Sequence, residues 1–378
     1  MEDRRASYGN AEEEDVDDSL DQSASFNKLV TEADLEAARN RRMRWLAQMC
    51  EYWPLKRLSS ITDADVDAVL ALYASDQESP FAARGRDEGR PDGKLILAGS
   101  GPGHPDLLTR ATYKAIQNAD IILADKLVPE PVLDLIPRRT PVHIARKFPG
   151  NADKAQEELL EMAMAGVREG KTVLRLKQGD PFIYGRGGEE VAFFRENGLG
   201  DRVRVLPGIT SALSAPLFAG IPATQRDVAD QVLICTGTGK KGKPPAPPDY
   251  VPSRTVVFLM ALHRITGLVA ELTEETDAEK EAEAATAGEA KAARQLWPRN
   301  TACAVVERAS CPDQRVIRTT LGMVAEAIEQ EGSRPPGLLV VGKACEFLYP
   351  LEKGRSWATE DGFKGLDLDG VAALESGA

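Results

Sequence analysis

No run of about 18 apolar residues, the length a membrane core demands, occurs anywhere in the 378 residues. A transmembrane helix is therefore not expected. Cysteine is scarce: the five residues at 50, 235, 303, 311 and 345 never fall into C-x-x-C spacing, and the three histidines at 104, 143 and 263 do not cluster with them. Reduced thiols and no metal site are the expectation. The opening residues, Met1-Glu2-Asp3-Arg4-Arg5 and the acidic stretch from Glu12 to Asp18, lack the apolar centre of a secretory signal, so a cytoplasmic address is expected. A formal net charge of −12 argues against a general nucleic-acid binder.

What is present is a chain 42% hydrophobic, enough to bury the cores of two domains. Charge is unevenly spread, with the two ends acidic and residues 94–241 slightly basic. Arg138, Arg139, Arg146, Lys147, Arg175, Lys177, Arg186 and Arg226 offer counter-charges to an anionic ligand, although each taken singly reads equally as a solvated surface charge.

Residues 1–25 are low in apolar content and rich in Glu, Asp and Ser, so disorder is expected there. Helical spacing appears from Glu32 to Tyr52, through Leu35, Met43, Leu46 and Met49, and again from Thr62 to Tyr73. Two such helices cannot form a core alone. A polar linker follows over 75–93. From Lys94 strands and helices alternate. Leu95–Ala98, Ile121–Ala124, Val142–Ala145, Lys171–Leu176 and Val203–Leu206 read as strands, with helices at Leu107–Asn118, Asp153–Glu169 and after Pro207-Gly208-Ile209-Thr210-Ser211. That alternation predicts a parallel sheet with its glycine loops on one edge. A second set, Val232–Cys235, Thr255–Met260, Ala302–Val306 and Leu338–Val341, with a helix at Leu321–Glu329, predicts a second α/β unit. An Ala/Glu/Lys-rich insertion occupies 273–295.

The centre of the chain is Gly179 to Glu190, Gly-Asp-Pro-Phe-Ile-Tyr-Gly-Arg-Gly-Gly-Glu-Glu. A strand that ends in glycine, a carboxylate and a proline stops pairing and turns, at the sheet edge where α/β proteins hold ligands. Gly185, Gly187 and Gly188 are expected to let the main chain approach a bound molecule, with Asp180 accepting hydrogen bonds there. Taken alone, the stretch also reads as a plain glycine-rich connection. The run Gly99-Ser100-Gly101-Pro102-Gly103-His104-Pro105 invites a dinucleotide reading. However, Pro102 and Pro105 remove two N–H donors and His104 stands where the fingerprint needs glycine.

Five stretches together resemble the tetrapyrrole methylase family, and within it the branch that methylates uroporphyrinogen III in siroheme-making enzymes. They are Gly99–Pro105 with Leu107-Leu108-Thr109, Asp125-Lys126-Leu127-Val128, Lys177–Glu190, Pro207–Ala212 and Ala219-Gly220-Ile221-Pro222. Arg41-Arg42-Met43-Arg44-Trp45-Leu46 more weakly resembles the helical tail of precorrin-2 dehydrogenase modules fused to such enzymes. The resemblance implies a two-domain α/β tetrapyrrole methylase fold with an N-terminal helical extension, cleft-bound S-adenosylmethionine and a homodimer. It divides the chain into a tail 1–25, a helical segment 26–74, a linker 75–93, subdomains 94–215 and 216–350, and a C-terminal tail 351–378.

By position it implies donor contacts at Pro102, Gln178, Gly179, Asp180, Ile183, Thr210, Ser211 and Met260, with Ala304 and Gly337 besides. It implies Asp125 as proton acceptor and Lys147, or Arg146 beside it, as proton donor. The implied reaction is two methyl transfers to uroporphyrinogen III giving precorrin-2. Eight carboxylates on that substrate would account for a basic middle in an acidic chain. A sibling methylase acting on a corrinoid or diphthamide precursor, or a non-catalytic subunit docking a dehydrogenase through residues 26–73, are the other readings. Three positions depart from the family's usual residues: His104 for aspartate, Gln178 for glycine, and Ala223-Thr224-Gln225-Arg226 for Leu-Thr-His-Arg.

Overall fold

The computed structural model describes residues 93–145, 152–239, 242–285 and 294–366. The two helices expected before residue 75, and the pair Arg146 and Lys147, lie outside the described residues.

The first half is built on five strands. They are β1 (Lys94–Gly99), β2 (Ile121–Ala124), β3 (Val142–Ile144), β4 (Thr172–Lys177) and β5 (Val203–Leu206), in the order β3-β2-β4-β1-β5. All pairs are parallel, so each crossover carries helix: α1 (Arg110–Asn118), α2 (Glu130–Leu133), α3 (Ala152–Arg168) and α4 (Gly187–Glu196). Alternation along β4 decides which side chain meets which layer. Leu174 and Leu176 enter the core that α1 covers with Ile116, whereas Val173 faces the opposite layer with Ala163 of α3 and Phe194 of α4. Arg175 and Lys177 share the Val173 face. Helix α1 starts later than expected because Thr109 caps it, accepting from the Thr112 N–H at 3.1 Å, while Pro105–Leu107 forms a separate 3-10 turn.

Helix α5 (Ser211–Phe218) follows β5 and leads into a second sheet. Its strands are β6 (Gln231–Thr236), β7 (Arg254–Leu259), β8 (Ala302–Glu307), β9 (Arg315–Thr320), β10 (Gly337–Val341) and β11 (Ala358–Asp361), in the order β11-β9-β8-β10-β7-β6. Only β6 and β7 are parallel; the other pairs are antiparallel. One face packs against α6 (Ile265–Thr273) and α8 (Val324–Glu331) around Trp297, with α7 (Asp277–Ala285) inside the expected insertion. The other face takes Ala212, Ala215 and Ala219 against Val257, Ala304 and Val340. A division at 215/216 therefore falls within α5. The segment expected as a C-terminal tail contributes β11, which pairs with β9.

Candidate functional site

Three adjacent strands, β4, β1 and β5, end side by side, and their loops are tied by backbone. The Ser100 N–H donates to Lys177 O at 2.7 Å, and Gly101 and Gly179 exchange N–H···O bonds of 3.2 and 2.9 Å. Gly179 holds φ +68°, which a side chain rarely tolerates. A Cβ on Gly99 would lie 2.3 Å from Gly179 O, and one on Gly208 would lie 2.0 Å from the same oxygen, so the three chains touch. Asp180 staples two of these loops, accepting from Phe182 N–H at 2.8 Å and from Gly208 N–H at 3.3 Å. Thr210 caps α5 through a 3.3 Å bond to Ala212 N–H, and Ser211 opens that helix. Pro102, Gln178, Gly179, Asp180, Thr210 and Ser211 thus gather on one sheet edge. Ser100 is fully buried there, and its hydroxyl finds no hydrogen-bond partner among the described residues.

The loop after β4 reaches the second sheet. The Tyr184 hydroxyl donates to Ile234 O in β6 at 3.0 Å. Neighbouring Ile183 is 39% exposed, and Met260, just past β7, is 47% exposed at φ +53°. The carbonyl of Met260 is held by the Thr238 hydroxyl at 3.0 Å. Ala304 and Gly337 stand differently. Ala304 is fully buried in mid-strand under α5, and Gly337 opens β10 where a Cβ would meet Leu262 Cδ1 at 2.6 Å.

Asp125 lies at the end of β2, its N–H still bonded to Leu176 O at 3.0 Å. Its carboxylate meets a charge cluster that sequence reasoning missed. Arg175 Nη2 donates to Asp125 Oδ1 at 2.5 Å and Nη1 to Leu123 O at 3.1 Å. Lys177 Nζ is 3.5 Å from Asp125 Oδ2 and donates to Glu190 Oε1 at 2.6 Å. Gln156 of α3 donates to the same Glu190 oxygen at 2.7 Å. Arg175 Nε sits 3.3 Å from Glu190 Oε2, within ion-pair range though not aligned for a hydrogen bond. The Arg175 and Glu190 side chains are 1% exposed and that of Asp125 is 15% exposed. Two cations thus face two carboxylates, which makes burial of the group tolerable. Burial and the Arg175 guanidinium hold the Lys177 ammonium below the ordinary lysine range, while Asp125 and Glu190 pull it upward.

Several expectations are corrected by this geometry. Arg175 and Lys177, read among counter-charges for an anionic ligand, are spent on Asp125 and Glu190 inside the sheet layer. Arg186 pairs with Glu189 at 2.7 Å. Gly185 and Gly187 are required by their own loop, since a Cβ on either would lie 2.5 Å from Pro181 O; Gly188 meets nothing within 4 Å. His104 does locally what a short carboxylate would do, accepting from Asp106 N–H at 3.2 Å through Nδ1, while its own N–H donates to Ser310 Oγ at 3.0 Å.

Among the described residues no group of three or more His, Cys, Asp or Glu is placed to hold a metal ion, and no helix is long and apolar enough to cross a membrane. The described cysteines are free; burial pushes the Cys345 thiol up to about 12 and raises that of Cys303, so neither offers a thiolate for chemistry.

A parallel α/β half with glycine loops at its edge is thus followed by a mixed-sheet half that the Tyr184 loop reaches. Residues 94–325 match the model of the tetrapyrrole (corrin/porphyrin) methylases, and residues 27–79 that of the sirohaem biosynthesis protein C-terminal region. The chain belongs to the tetrapyrrole methylases. It is 42% identical over 377 residues to the uroporphyrinogen-III C-methyltransferase of Saccharomyces cerevisiae, which covers 92% of this chain and 60% of that one. The protein of the same name from Methanocaldococcus jannaschii is 35% identical over 258 residues, covering 68% of this chain and 98% of that one. The solved uroporphyrin-III C-methyltransferase of Thermus thermophilus, complexed with S-adenosylhomocysteine, superposes with TM-score 0.52 at 31% identity, over 71% of this chain and 97% of that one. The chain thus spans 60% of the length of its yeast relative.

Proposed function

We propose that the protein transfers two methyl groups from S-adenosylmethionine to uroporphyrinogen III, giving precorrin-2 for siroheme. The observation that carries this is Asp125, a carboxylate fixed at the same strand edge as the glycine loops by Arg175 and Lys177. The edge suits the donor: a buried unpartnered hydroxyl at Ser100 and the opening of α5 at Ser211 offer polar contacts, and exposed Ile183 and Met260 offer apolar ones. When bound, S-adenosylmethionine supplies a methyl group already activated by its sulfonium. Pro102, Gln178, Gly179, Asp180, Ile183, Thr210, Ser211, Met260, Ala304 and Gly337 hold the donor in this reading, and the protein's contribution is to orient and exclude water. A pyrrole carbon that gains a methyl leaves its ring cationic until a proton is lost. Asp125 takes that proton on its carboxylate, which leaves the ring neutral. Lys147 donates a proton only where a second one leaves another position of the macrocycle, so that it moves a proton without changing the net loss of one per methyl group. The protein acts as a homodimer in the cytoplasm, with residues 26–73 contacting a dehydrogenase module.

The test is direct: purified full chain, S-adenosylmethionine and enzymatically made uroporphyrinogen III, with products separated by mass. Doubly methylated tetrapyrrole is expected, and Asp125→Asn should lower its formation at least a hundredfold, as about 10²–10⁴ is the ordinary contribution of a proton-transferring side chain. Absence of any methylated tetrapyrrole from a chain that binds S-adenosylhomocysteine would falsify the choice of acceptor.

A further inference from the structure

The buried cluster behind Asp125 contains one acid that the reaction does not touch. Glu190 opens toward the sheet from the first turn of α4, 1% exposed, and three polar side chains from other elements converge on it. Lys177 and Arg175 come from β4, and Gln156 comes from α3. Its two oxygens divide the labour: Oε1 takes Lys177 and Gln156, and Oε2 faces Arg175. Both of these cations also reach Asp125, on Oδ2 and Oδ1 respectively.

We propose that Glu190 is the positioning residue of the proton acceptor: acting through Lys177 and Arg175, it fixes the orientation and the charge environment of the Asp125 carboxylate. This rests on the reading of Asp125 given above. The distances set the direction of the effect. Lys177 is closer to Glu190, at 2.6 Å, than to Asp125, at 3.5 Å, so Glu190 is its principal counter-ion. Asp125 is then one of two anions that share the two buried cations, rather than the sole anion for both. An uncompensated buried cation is strongly disfavoured. Removing the Glu190 charge leaves Lys177 two choices, to move onto Asp125 and lock it or to give up its proton. Glu190 is one of the two groups that raise the Lys177 pKa against burial and Arg175, so without it Lys177 loses its proton at lower pH.

The experiment follows kcat and KM of methyl transfer from pH 6 to 10 in the full chain, for Glu190→Gln and Glu190→Asp, with S-adenosylhomocysteine affinity measured alongside. In Glu190→Gln, kcat is expected to fall about tenfold to a hundredfold, the scale of a small misplacement of a reacting group. KM for the donor and S-adenosylhomocysteine affinity should stay unchanged, and the alkaline inflection should move to lower pH than in the unmutated protein. Glu190→Asp, which keeps the charge, should leave the inflection in place. Superimposable pH profiles for Glu190→Gln and the unmutated chain overturn the inference. Should Glu190→Gln fail to fold, Lys177→Arg decides instead: a guanidinium stays charged across the range, so the part of the alkaline limb set by Lys177 should be lost and the limb should move to higher pH, and an unmoved limb overturns the inference. Asp125→Asn with undiminished activity would sink the role of Asp125 itself; an inactive Asp125→Asn beside an unmoved Glu190→Gln profile sinks only the positioning role.

Discussion

Ionic pairs buried in this fold are consequential one side chain at a time. Glu307, fully buried in β8, takes Arg315 Nε and Nη2 at 2.7 and 2.6 Å on one oxygen, and the Arg334 N–H at 2.7 Å on the other. Arg315 in turn donates to Glu331 O and Gly332 O, so it ties the end of α8 to β9. Glu307→Ala strands a buried guanidinium and is expected to lower unfolding free energy by about 3–5 kcal/mol, read from the denaturant midpoint. Position 104 makes the opposite case. His104→Asp should leave stability within about 0.5 kcal/mol, because the carboxylate can accept the same Asp106 N–H that Nδ1 now accepts, and the backbone bond to Ser310 does not depend on the side chain. What made Arg175 and Lys177 hard to read is also local. A lysine on a strand reads as a solvated charge unless its counter-ion is known, and Glu190 lies 13 positions beyond Lys177, on a helix whose glycine-rich start disguised it.

At the scale of elements, the parallel strands were legible because each is a short apolar run closed by a turn signal; β2 and β5 have the expected bounds and the others differ by one residue at one or both ends. Strand β9, Arg-Val-Ile-Arg-Thr-Thr, was not, since its arginines interrupt the apolar pattern and are accommodated by partners distant in sequence, among them Glu307 for Arg315 and Glu360, 2.7 Å from Arg318. The mixed character of the second sheet was equally hidden, because strand direction depends on loop paths that composition does not encode. The edge loops of β1, β4 and β5 were recognised as a site from their glycines, but the reason for those glycines emerged only from their mutual approach. Gly208→Ala should therefore cost about 1–3 kcal/mol and weaken S-adenosylhomocysteine binding in a titration, since the three atoms nearest the new methyl are all backbone. Gly188→Ala, on the open side of α4, should be neutral or stabilising by about 0.5 kcal/mol, with affinity unchanged.

For the molecule as a whole, the two sheets are joined by an exchange of parts: the β4 loop hands Tyr184 to β6, and α5, continuous with β5, lies on the second sheet. Phe363, beyond β11, closes the other way, with its ring 5.1 Å from that of Phe218 and 6.0 Å from His104. Asp125 and the donor loops belong to the first sheet alone, whereas Met260, Ala304 and Gly337 belong to the second, so the proposed donor contacts need both. The arrangement also dictates where the chain can be divided. A fragment ending after Phe218 would carry Leu213 and Leu217 outward and Ala212, Ala215 and Ala219 with nothing to cover, whereas one ending at Leu206 would leave α5 with the sheet that shelters it. If the halves can be made to reassemble from separate polypeptides, the productive cut lies ahead of the helix, in Pro207-Gly208-Ile209, and complementation would restore the Asp180 to Gly208 staple across two chains.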